Sequence, residues 1–69
     1  MIVVVNKKSV EVDEQTTIAA LLESLGFPDR GIAVASQWEV LPRSGWATRL
    51  SELPGEPVRL EVVTAVQGG

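Results

Sequence analysis

One short apolar stripe constrains this chain more than any other feature. Ile18, Leu21, Leu22 and Leu25 recur at i, i+3, i+4 and i+7, the spacing of one helix face. Runs of strand character flank it on both sides. Ile2-Val3-Val4-Val5 is β-branched throughout and reads as a strand covered on at least part of both faces. Asn6-Lys7-Lys8 is a tight turn, because Asn tolerates positive φ. Ser9 to Asp13 then alternates, with Val10 and Val12 facing inward. The stripe predicts a helix from about Ile18 to Leu25, capped by Thr16 or Thr17. Gly26 supplies a left-handed end, and Pro28 blocks resumption.

Three strands follow. Gly31 to Ser36 is the third, Gln37-Trp38 a turn, and Glu39 to Leu41 a short fourth that Pro42 ends. The stretch from Arg43 to Leu53 is irregular or carries one short helical turn, anchored by Trp46 and Leu50. Pro54 to Pro57 is a turn before a last strand, Val58 to Thr64, in which Val58, Leu60 and Val62 alternate with Arg59, Glu61 and Val63. The order β-β-α-β-β-β is met by a mixed sheet of four to five strands with one helix across one face. A right-handed crossover then sets the first and last strands side by side in the centre. That α+β arrangement is a β-grasp; a split β-α-β or another α+β roll uses the same elements. Residues 1–64 form the domain, and residues 65–69 are expected to be a flexible tail.

Such a domain must be held by packing. With 69 residues it buries only about 60% of its unfolded surface. It has no Cys to staple it, and its 45% hydrophobic content suits a core rather than disorder. The same composition narrows the chemistry. Without Cys there is no thiol catalysis or thiolate-held metal, and without His the usual neutral-pH base is missing. A net charge of −3 argues against nucleic-acid binding. No segment nears the roughly 20 apolar residues that span a bilayer. Met1 to Val5 lacks a basic leader and a long apolar region, so the expected location is cytoplasmic. No cofactor is expected.

Most candidate sites have ordinary readings. Asp13 and Glu14 precede a helix and read as capping and solubility residues. Gly26 and Gly31 do not form a phosphate cradle. Arg43-Ser44 reads as a surface loop and Lys7-Lys8 as a solvated turn, whereas Trp38 is open between partner contact and packing at the sheet edge. Gly68-Gly69 is different. It is read as the true end of the chain, directly beyond the central strand. The five residues from Ala65 extend roughly 17 Å, enough to enter another protein's active site. Two glycines make the thinnest thread a chain can offer. The carboxylate of Gly69 becomes an acyl donor once ATP adenylates it. A sulfur nucleophile such as a persulfide then displaces AMP, and later steps leave a thiocarboxylate. None of this needs His or Cys on the carrier, since the catalytic groups belong to partner enzymes.

These residues resemble the ThiS family of sulfur carriers in thiamin biosynthesis over essentially the whole chain. Val62-Val63-Thr64-Ala65-Val66-Gln67-Gly68-Gly69 carries most of the resemblance; Gly31 to Ala35 and Pro42 to Trp46 add to it. Gln37-Trp38 and Gly55-Glu56-Pro57 depart from the family's usual turns. The resemblance implies a ubiquitin-like β-grasp, a ThiF-like adenylating partner, a sulfur-donor protein and delivery to a ThiG-like thiazole synthase. It implies Gly69 as the modified residue and Gly68 as its spacer, in a carrier that is not itself an enzyme. It assigns no role to Arg43 or Trp46. A MoaD-like subunit of molybdopterin synthase shares the logic, and Thr64-Ala65-Val66-Gln67 favours ThiS over it. A ubiquitin-like modifier or a plain interaction domain is the rival of another class. Ile2, Val4 and Val63 should share the sheet face turned away from the helix; with Val66 and Gln67 they are the candidate partner contacts.

Overall fold

A computed structural model of the chain describes residues 1–64. It contains strands β1 (Ile2–Val5), β2 (Lys8–Glu11), β3 (Ile32–Ser36), β4 (Glu39–Leu41) and β5 (Val58–Thr64), and one helix, α1 (Ile18–Ser24). Two 3-10 turns, Arg43–Gly45 and Leu50–Glu52, lie between β4 and β5, one more than the sequence suggests. The five strands form one sheet in the order β2-β1-β5-β3-β4. Only β1 and β5 run parallel, with Val3 beside Val58 and Val5 beside Leu60. The other pairs are antiparallel. The fold is thus the α+β ubiquitin-like β-grasp, with β5 central and β1 at its side.

Alternation fixes which face of the sheet meets the helix. Val3 and Val5 of β1, Val34 of β3, and Val58, Leu60 and Val62 of β5 are buried. From the other layer Ile18, Leu21 and Leu22 of α1 meet them, joined by Trp46 and Leu50. A one-residue slip in any strand would send its apolar set to water, so this core also fixes register.

The helix ends where local chemistry ends it. The Thr17 hydroxyl accepts from the Ala20 N–H at 3.1 Å. The two preceding free N–H groups go to the following loop: Ile18 donates to the Thr48 carbonyl and Ala19 to the Trp46 carbonyl. Leu50 N–H donates in turn to Thr16. The 46–50 segment therefore both lids the core and satisfies donors that a helix start leaves open. At the other end Gly26 has φ +85°, Gly26 N–H bonds to Glu23 and Phe27 N–H to Leu22. That reciprocal pair is a Schellman cap. It corrects one expectation. The chain turns at Leu25, which is 40% exposed, and Phe27 packs partly buried against the core in its place.

Both hairpins close with two residues of positive φ: Asn6 (49°) and Lys7 (71°), then Gln37 (50°) and Trp38 (70°). This is the sign pattern of a type I′ turn, which matches strand twist. The first turn is one residue shorter than the sequence suggests, since Lys8 already pairs with Val5.

Candidate functional site

The final strand leads to the predicted site. Between Ile32 and Ala35, β3 pairs with it up to Thr64, the last described residue. On its other flank β1 pairs only as far as Leu60. There Asn6 takes over. Its N–H donates to the Leu60 carbonyl at 3.0 Å. Its side-chain Oδ1 accepts from Val62 N–H at 2.8 Å, and its Nδ2 donates to the Val62 carbonyl at 3.1 Å. From sequence alone Asn6 has only a turn role. Its partner lies 56 residues away, so no local signal reveals the second role.

The expected tail, Ala65 to Gly69, lies outside the described residues, and so do the candidate residues Val66, Gln67, Gly68 and Gly69.

The sheet face turned away from α1 carries the remaining candidates. Ile2 is 45% exposed, Val63 is 57% exposed, and Val4 is half-buried. They share that face but not one spot. Val4 lies beside Arg59, four residues before Val63 and hence roughly 13 Å from it along β5. Val63 itself sits beside Ala33. Arg59 and Glu61 stand exposed between these apolar positions. Val40, beside Ala35 on β4, extends the face and is 68% exposed. A strand of three residues shows too little alternation to orient Val40 from sequence alone.

Trp38 is 98% exposed at the tip of the β3–β4 hairpin. Packing on the sheet edge, one of the two readings left open for it, is therefore wrong. With Ala35, Gln37, Arg59 and Glu61 it rims a shallow depression on the outer face. Trp46 does the opposite. It is buried, and its Nε1–H donates to the Leu41 carbonyl at 3.2 Å. Arg43 stacks 5.7 Å from the Trp46 ring centroid and approaches Asp29 at 4.0 Å. Arg43 and Asp29 are both exposed, so their ion pair is worth little. Among the described residues, no group of His, Cys, Asp and Glu could hold a metal ion. No described helix is long and apolar enough to cross a membrane.

The model of the ThiS family matches residues 2–69. The chain belongs to the ThiS family. No curated protein matches it. ThiS-family proteins are small sulfur carriers that work with partner enzymes in sulfur transfer, and the β-grasp found here agrees with that membership.

Proposed function

We propose that this ThiS-family chain carries sulfur on the carboxylate of Gly69 for assembly of the thiamin thiazole. The observation that carries the reading is the extent of the family match. It runs through residue 69 and so includes Val62 to Gly69. The fold supports it, because β5 is the central strand and leads into that segment. The domain, residues 1–64, serves as a handle, residues 65–69 as a tether, and Gly68 as the spacer that fits a narrow channel.

The chemistry is divided between proteins. A ThiF-like partner binds ATP, and the Gly69 carboxylate attacks its α-phosphorus, releasing pyrophosphate and forming an acyl-adenylate. The outer sulfur of a donor protein's persulfide attacks the acyl carbon, and AMP leaves. The resulting acyl disulfide is cleaved by a thiol, which forms a mixed disulfide and leaves the thiocarboxylate. A ThiG-like thiazole synthase then takes the sulfur. The carrier is a co-substrate and not an enzyme, and the steps occur in the cytoplasm. Ile2, Val4 and Val63 on the outer face, with Val66 and Gln67 on the tether, are the proposed partner contacts.

Reconstitution tests the reading. The chain is incubated with ATP, the adenylating enzyme and a persulfide donor, then offered to thiazole synthase or to the large subunit of molybdopterin synthase. Thiazole formation is expected. Sulfur transfer only to the pterin acceptor would reassign the pathway to the MoaD-like alternative. An isopeptide bond to a target lysine would make the protein a modifier.

A further inference from the structure

Neighbouring strands β1 and β5 end out of step. β1 stops at Val5, while β5 continues four residues past their last shared rung, Val5 beside Leu60. From Val62 onward the β1 side of β5 would be bare backbone, close to the last described residue, Thr64. The Asn6 carboxamide fills the next rung. It carries one donor and one acceptor in the arrangement of a peptide group, and Val62 uses both, at 3.1 and 2.8 Å. Few residues can do this. The position has φ 49°, which Asn and Gly tolerate and most residues do not. Gly has no side chain to offer, and ionised Asp offers acceptors without a donor.

We propose that Asn6 is a positioning residue for the Gly68-Gly69 end, an inference that rests on the carrier reading above. Val62 lies three residues before Ala65, the first residue of the tether. Asn6 grips β5 on one side and β3 grips it on the other through the Ile32–Thr64 pair. Together they hold the end of β5 from which the tether continues. Releasing Val62 lets the end of β5 peel away. The three freed residues, Val62, Val63 and Thr64, add about 10 Å of slack to a tether of roughly 17 Å. The Gly69 carboxylate then searches a larger volume and spends less time at the partner's ATP. The Ile2 and Val4 contacts lie on β1 and stay in place, whereas Val63 moves with the released end of β5, so the loss falls more on kcat than on KM.

The test compares full-length wild type, Asn6→Gly, Asn6→Asp and the core control Ile18→Val. Pyrophosphate release with the adenylating enzyme gives kcat and KM for the carrier, and hydrogen exchange reports the Val62 amide. Asn6→Gly keeps the turn and removes the clamp. Its Val62 amide should exchange faster, and its kcat should fall about tenfold, by more than any rise in KM from the displaced Val63. Asn6→Asp should lie between the two, and Ile18→Val should keep wild-type kcat despite its lower stability. Wild-type kcat in Asn6→Gly, or an equal kcat loss in Ile18→Val, overturns the positioning role alone. A wild type that releases no pyrophosphate overturns the carrier reading itself and this inference with it.

Discussion

Leu50 offers a direct test of how the segment after β4 holds this small domain together. Its side chain is completely buried, and its backbone is pinned on both sides. Its N–H donates to Thr16 at 2.9 Å, and its carbonyl accepts from Leu53 at 3.1 Å. A chain anchored in this way cannot collapse into the space that Leu50→Ala would leave. Buried Leu-to-Ala changes cost about 2.7–5.0 kcal/mol, with the higher values where the cavity stays open. We therefore expect a loss of at least about 3 kcal/mol. At roughly 0.05–0.15 kcal/mol per residue, a 69-residue domain has only about 3–10 kcal/mol to lose. The melting temperature should fall by about 12–24 °C. Urea unfolding followed by circular dichroism and by fluorescence measures this. Trp46 is buried and Trp38 is exposed, so the fluorescence change on unfolding reports the environment of Trp46. A loss below about 1 kcal/mol with an unchanged m value would refute the view that this segment is a rigid lid on the core.

Three further outcomes follow from the structure. Val63→Asp places a charge on the outer face at a position 57% exposed, so the fold should tolerate it. Its KM with the adenylating enzyme should rise at least about tenfold, and an unchanged KM would remove Val63 from the proposed contact surface. Ser36 is 6% exposed and, among the described residues, its hydroxyl has no hydrogen-bond partner. Ser36→Ala should therefore be neutral or stabilising by up to about 1 kcal/mol in a denaturant titration, whereas clear destabilisation would reveal a partner for the hydroxyl. Thr17→Ala removes the cap on Ala20 and should cost about 1 kcal/mol, while Thr17→Ser should cost less.

The sheet and helix were largely legible because their signals are local. Alternation in Val58 to Val63 marks both faces of β5, and the stripe beginning at Ile18 marks α1. Gly26 and Pro28 announce the helix end, although that end diverts Leu25 outward and brings Phe27 in. What escaped notice depends on distant partners or on exposure. The Asn6 clamp requires knowing that β5 lies alongside and outruns β1. The 46–50 segment caps α1 through its backbone carbonyls, which carry no residue-specific mark. Trp38 occupies a turn position where its φ of 70° is costly and its side chain meets no packing, so aromatic character alone misleads there. The proposed modification site was read from the final run of residues, and the fold contributes the strand that precedes it.

The central claim concerns one carboxylate, and mass spectrometry addresses it directly. The chain is treated with ATP, the adenylating enzyme and the persulfide donor, then cleaved with trypsin after Arg59. Residues 60–69 form one peptide. The account predicts a gain of about 16 mass units, the exchange of one oxygen for sulfur, with fragment ions placing it on Gly69. Deleting Gly69 should abolish the gain. An unmodified wild-type peptide, or the same gain in the deletion variant, would contradict the account.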